Sequence, residues 1–192
     1  NFSEWRGCDS QGNIQITKDA LCQAVFTSDP NIPNAGDGNG DGLPDANQDN
    51  VVSLPDKVTG TYLTLETQPA TCVISEIYPD LAEAQTDKLD HTKKFPQGML
   101  YFDIVCPQAQ VSVYYHGMSK VYRNLKFYKF GPKIPGDLTT IAWYQLPNVK
   151  YELVTIGGQP VVKGTYTLTD GQLGDSTEVD GHIVDPGGVV YP

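Results

Sequence analysis

Positive charge is scarce in this chain. Its 192 residues include 13 Lys and Arg against 23 Asp and Glu, a formal net charge of −10. Such a surface repels phosphate, which argues against nucleic acid and anionic membranes as partners. No apolar run approaches the length of a transmembrane helix, so no membrane span is expected. No CxxC pair occurs, which disfavours a zinc site or a thioredoxin-type motif. The serine-hydrolase elbow, the HExxH zinc motif, the phosphate loop and the dinucleotide fingerprint are all missing. The histidines, 91, 116 and 182, stand apart. No enzymatic activity is therefore expected. The chain opens on Asn1 rather than Met, which reads as a mature protein whose secretion signal has been removed.

What the chain has in quantity is punctuation and tyrosine: 19 Gly, 14 Pro and 11 Tyr. That much Gly and Pro cuts the chain into short segments and favours β architecture. Several runs alternate with a period of two, among them Gly60–Glu66, Leu100–Ile104, Gln110–Tyr115 and Lys150–Val154. They predict an all-β fold, an antiparallel β-sandwich with one face of each sheet in the core. Ahead of it, Asn13–Ile16 alternates like a strand, and Thr17–Val25 reads as a short helix capped by Thr17. The expected organisation is an N-terminal extension, 1–36, with partner docking as a role, followed by a calcium-binding sandwich domain, 37–192.

The cysteines, Cys8, Cys22, Cys72 and Cys106, are even in number and lack metal spacing. Two disulfides and an oxidising, extracellular or cell-surface location follow. Of the three possible pairings, Cys8–Cys22 with Cys72–Cys106 joins nearest neighbours in sequence.

The strongest chemical signal is Asp37-Gly-Asn39-Gly-Asp41-Gly42-Leu43-Pro-Asp45-Ala-Asn47-Gln48-Asp49. Oxygen-bearing side chains recur at positions 1, 3, 5 and 9 of a loop with Gly at position 6. This is the spacing that wraps Ca²⁺, a hard cation that takes several oxygen ligands at ~2.3–2.6 Å. Leu43 would contribute its backbone carbonyl, and Gln48 stands where an EF-hand carries a bidentate Glu. With Pro33 before it and a β-type run after it, the loop reads as a structural calcium site rather than a switch. A second acidic group, Asp170, Asp175, Asp180 and Asp185, is interleaved with glycine. It offers a second Ca²⁺ site, with hairpin turn formation as the competing reading.

Aromatic and basic residues interleave from Tyr114 to Lys133. The reading preferred for them is strand faces, with aromatics inside and Lys120, Arg123, Lys126, Lys129 and Lys133 outside.

Taken in order, several segments resemble the bacterial choice-of-anchor U domain family. They are DGNGDGLPDANQDNV at 37–51, Ser53-Leu54-Pro55, the strand at Gly60–Glu66, Phe95-Pro96-Gln97-Gly98, Phe127-Tyr128-Lys129-Phe130-Gly131-Pro132, Trp143-Tyr144 and the closing DGQLGD…DGHIVDPGG. The calcium loop also resembles thrombospondin type 3 repeats. The resemblance implies a β-rich, calcium-binding part of a secreted, surface-associated protein and carries no catalytic residues. The expectation is a secreted structural subunit of an extracellular filament or surface layer. It would assemble with copies of itself by strand addition, stabilised by calcium and disulfides. The alternative is a calcium-dependent module that binds carbohydrate, with surface glycans as partners.

Overall fold

The computed structural model describes residues 2–6, 23–26, 31–81 and 93–190. The protein is a β-sandwich of two antiparallel five-stranded sheets, with a separate two-stranded ribbon. The ribbon pairs β1 (Phe2–Arg6) with β2 (Gln23–Phe26). The end of the predicted N-terminal helix therefore lies in a strand: Gln23, Ala24 and Val25 pair with Arg6, Trp5 and Glu4. Val25 and Phe26, β-branched and aromatic, are residue types that favour strands. The rest of that helix, the strand at 13–16 and the Cys8–Cys22 pairing lie outside the described residues.

The sandwich strands are β3 (Val51–Pro55), β4 (Tyr62–Gln68), β5 (Val73–Asp80), β6 (Met99–Val105), β7 (Gln108–Tyr115), β8 (Lys126–Pro132), β9 (Ile141–Gln145), β10 (Lys150–Ile156), β11 (Gln159–Thr169) and β12 (His182–Val190). One sheet runs β10-β11-β7-β4-β3 and the other β5-β6-β12-β8-β9. The alternating runs read from the sequence are the strands β4, β6, β7 and β10. A two-residue turn, Gly157-Gly158, links β10 to β11. Both glycines have positive φ, 57° and 79°, as the tight hairpin turns with the favoured twist require.

The core lies between the sheets. Leu63, Leu65, Val111, Val113, Tyr115, Val162 and Leu168 from one sheet meet Leu100, Phe102, Ile104, Phe127, Ile183 and Val189 from the other. A smaller cluster of Phe95, Met99 and Val190 packs with Tyr128, Phe130 and Trp143. That second cluster explains why the aromatic run 127–130 does not alternate cleanly: apolar side chains are packed on both faces of β8. Cys72 and Cys106 form a disulfide that joins the start of β5 to the end of β6. The Asp49 carbonyl accepts the amide of Ile74 at 3.0 Å, which stitches the β3 and β5 edges together.

The edges at the other side of the sandwich are β9, five residues long, and β10, seven residues long. Strand β10 pairs with β11 over an unbroken register from Lys150–Thr165 to Ile156–Gln159, and its outer side has no strand partner among the described residues.

Candidate metal centre and its polar anchor

The loop before β3 begins with Pro33–Gly36, a turn in which Asn34 and Ala35 take positive φ of 54° and 58°. From Asp37 onward the chain coils around its own oxygen-bearing side chains. Asp37 Oδ1 accepts the amides of Gly40 at 2.8 Å and Asp41 at 3.1 Å, and Oδ2 accepts that of Gly42 at 3.0 Å. Asn39 Oδ1 accepts from the Asp41 amide at 3.2 Å, and Asp41 Oδ1 from the Leu43 amide at 2.8 Å. Gly42 has a φ of +92°, with nothing near the place a Cβ would occupy, so conformation rather than space favours glycine there.

The structure brings five of the predicted positions together. The Gln48 side-chain amide donates to Asp41 Oδ1 at 3.4 Å and to the Leu43 carbonyl at 3.3 Å. The Asn39 amide donates to Asp41 Oδ2 at 3.2 Å. Asp37, Asn39, Asp41, the Leu43 carbonyl and Gln48 thus form one linked group. It combines two carboxylates, two side-chain amides and a backbone carbonyl, oxygen chemistry of the kind Ca²⁺ takes. A half turn of the Gln48 amide would present its oxygen where its nitrogen now donates.

Asp45 is turned the other way. Its Oδ1 accepts the Gly38 amide at 2.9 Å and its Oδ2 the Ser53 hydroxyl at 2.5 Å. Burial pushes its carboxyl above the usual range, against the hydrogen bond from Ser53. From Ser53 the chain of contacts continues to the Thr64 hydroxyl at 2.6 Å and on to His116 Nε2 at 3.0 Å. Burial pushes the His116 imidazole down to about 4. The position-9 carboxylate therefore fastens the loop to β3, β4 and the end of β7 instead of facing the linked group. Asp49 is exposed, and its backbone carbonyl rather than its side chain is engaged, by Ile74. Among the described residues, no three His, Cys, Asp or Glu side chains gather as a metal cradle.

The second acidic group is dispersed. Asp170 accepts the amides of Asp180 at 3.1 Å and Gly181 at 2.8 Å. Asp175, fully buried, accepts those of Gly171 at 2.8 Å and Val184 at 2.9 Å. Asp180 accepts the amide of His182 at 2.9 Å. These carboxylates shape turns, the competing reading of that segment. Asp185 is separate again: it is fully buried, and its Oδ1 lies 2.9 Å from the Nζ of the equally buried Lys129. An ammonium group stands where a second cation was expected.

Lys129 also corrects the reading of the aromatic and basic stretch. Lys120, Arg123, Lys126 and Lys133 are exposed, but Lys129 is in the interior. The signal was present, since Lys129 is in phase with Phe127, a core residue of the same strand. Tyr114, Tyr115 and Phe127 are buried, which leaves Tyr122 as an exposed aromatic of this stretch.

Comparison with family models, curated proteins and solved structures gives no match to this chain.

Proposed function

We propose that the protein is a secreted structural subunit that assembles with copies of itself by strand addition, with calcium held in the 37–48 loop. The observation that carries the reading is a pairing mismatch. The β1–β2 ribbon has no third strand among the described residues, and a two-stranded ribbon alone is marginal in water. The sandwich meanwhile presents β10 as an open edge. Two of the other edges are blunted: β3 is stitched to β5 and ends at Pro55, and β5 carries an irregularity between Ile74 and Glu76 and a proline at 79, while β9 is only five residues long. Strand β10 has neither proline nor bulge, and Leu153 on it is 52% exposed. Regular, unprotected edges of this kind accept strands from other chains. The ribbon of one copy on β10 of the next is a head-to-tail contact, which extends into a fibre unless the rotation closes a ring.

Calcium fits this assembly in two ways. The linked group of Asp37, Asn39, Asp41, Leu43 and Gln48 offers oxygen ligands, and a divalent cation offsets repulsion between subunits of net charge −10. The disulfide suits an oxidising exterior. The ordered segments resembling the choice-of-anchor U family point to the same setting.

The test is electron microscopy of the purified protein in millimolar calcium and again after chelation. Filaments that fray on chelation are expected. Dispersed particles at all concentrations, with calcium present, would refute the reading.

A further inference from the structure

The Lys129–Asp185 pair has a feature that an ordinary buried ion pair lacks. Both side chains are completely buried, and Nζ lies 2.9 Å from Oδ1. Lys129 and the Tyr166 hydroxyl both approach the Asp185 carboxyl, but neither contact completes a hydrogen bond of good geometry. The ammonium instead donates to the carbonyl of Gly174. A buried charge that is not fully hydrogen-bonded is costly. The protein keeps both groups in the centre of the sandwich at that cost.

The register places them deliberately. Strands β8 and β12 are neighbours, and Lys129 is paired with Gly187. Asp185 is two residues from Gly187 and so on the same face. At Gly187 a Cβ would lie 3.1 Å from Asp185 Oδ1 and 2.4 Å from the Phe127 ring, so only glycine leaves room for the pair. Tyr115 and Tyr166 of the facing sheet are buried in the surrounding core, with the Tyr166 hydroxyl turned towards Asp185. Burial pushes the Lys129 ammonium down and the Asp185 carboxyl up, against their mutual attraction, so both move towards the uncharged forms. A second buried carboxylate, Asp175, follows Gly174 directly, acts electrostatically on both groups and accepts the amide of Val184, next to Asp185.

We propose that Lys129 and Asp185 become joined by a side-chain amide bond that the folded domain forms by itself. The uncharged amine attacks Cγ of the protonated carboxyl, and a new Nζ–Cγ bond forms. The tetrahedral intermediate then loses one carboxyl oxygen as water as the Cγ–O bond breaks. The nitrogen gives up one proton, and the departing hydroxyl takes one. That proton passes from the nitrogen to the departing hydroxyl within the intermediate, and the nearby buried charge of Asp175 favours the cationic nitrogen that forms on attack. Amine plus acid give amide plus water, with no oxidant and no cofactor. Holding the groups in contact replaces an encounter between separate molecules, the largest source of acceleration open to such a site. The product removes two buried charges at once and ties β8 to β12 covalently. This inference stands apart from the filament reading: it concerns one chain, and either can fail alone.

Intact-mass measurement of the protein under reducing conditions tests it. The expected mass is that of the sequence less one water. Trypsin should fail to cut after Lys129 and should release one branched peptide containing both residues. A mass equal to the sequence overturns the proposal. So does a water loss that maps to a cyclised Asp-Gly pair, such as Asp170-Gly171, instead of the branch. Asp175→Asn, checked as folded by circular dichroism, is expected to leave the link unformed or much slower. Linking at the unchanged rate in that variant would remove Asp175 from the proposal while keeping the bond.

Discussion

Gln97 Nε2 donates to Asp56 Oδ2 at 3.1 Å and to Thr61 Oγ1 at 2.7 Å, fastening the segment leading into β6 onto the turn between β3 and β4. Asp56 is a hub, 4% exposed. It also accepts the amides of Val58 at 2.8 Å and Thr59 at 2.6 Å, the Thr59 hydroxyl at 2.6 Å and the Thr61 hydroxyl at 2.9 Å. Burial alone would push its carboxyl up, but the hydrogen bonds from Thr59, Gln97 and Thr61 together outweigh it and hold the carboxyl below the usual range. A carboxyl lowered in the folded state adds stability that is present above its unfolded value, near pH 4, and is lost as pH falls through the folded one. Asp56→Ala is expected to cost about 2–4 kcal/mol and to flatten the acid limb of the stability curve. Urea titrations at neutral and acid pH check this. A variant that unfolds with wild-type acid sensitivity would remove Asp56 from that role.

Two histidines should titrate in opposite directions. His116 is held down to about 4 by burial, whereas the hydrogen bond to Asp103, at 2.9 Å, raises half-buried His182. For His116 the unfolded chain takes up a proton near pH 6.5 that the folded chain refuses until about pH 4. Its contribution is whole above that upper value and declines between the two, by on the order of 2 kcal/mol. For His182 the sign is reversed: its contribution is present below pH 6.5 and fades as pH rises through the folded value. Proton NMR of the imidazole resonances should show His182 titrating above and His116 well below the ordinary range. Thr64→Val keeps that burial and removes only the hydroxyl contact, so His116 should stay well below the ordinary range in that variant.

The Cys72–Cys106 disulfide spans 34 residues and, with both cysteines buried, joins the start of β5 to the end of β6. In the chain-entropy model a loop of that length contributes about 4 kcal/mol. Cys72→Ala with Cys106→Ala is expected to lower the melting temperature sharply while leaving the far-ultraviolet spectrum β-rich. A loss no larger than that of a surface substitution would show that packing alone holds these strands.

Much of the sandwich was legible because it is written in the period of two. β4, β6, β7 and β10 each alternate, and the disulfide between β5 and β6 joins neighbours in sequence. The loop positions Asp37, Asn39, Asp41, Leu43 and Gln48 were legible from spacing, since a tight turn aims alternate residues at one point. What could not be read depends on registers between distant strands. Asp45 faces Ser53 rather than the loop centre because β3 passes beneath it. Asp185 and Lys129 meet only because β12 lies beside β8, a neighbour relation that no local pattern encodes. Gln97 reached Asp56 for the same reason.

Calcium should act through the loop as a ligand of the folded state. At a hundredfold excess over its dissociation constant, such a ligand adds about 2.7 kcal/mol. The melting temperature of the wild-type protein is therefore expected to rise with added calcium and to fall with chelator. Asp41→Ala removes the carboxylate that Leu43, Asn39 and Gln48 all contact, so it should abolish most of that rise. An unchanged calcium stoichiometry by calorimetry would take the site away from this loop.

Strand β10 offers the sharpest test of assembly. Leu153 is exposed on it, faces Val162 across the hairpin and contributes little to the core. A lysine on a strand edge is a device that natural sheets use against unwanted pairing. Leu153→Lys should therefore leave the melting temperature nearly unchanged, because an exposed substitution outside the core usually alters stability by under about 0.5 kcal/mol. It should nonetheless suppress filaments seen with the wild type in calcium. The two readouts separate edge from fold: filaments that persist in a folded Leu153→Lys protein would place the junction on some other edge, of which β9 is the next candidate because its outer side also lacks a strand partner among the described residues.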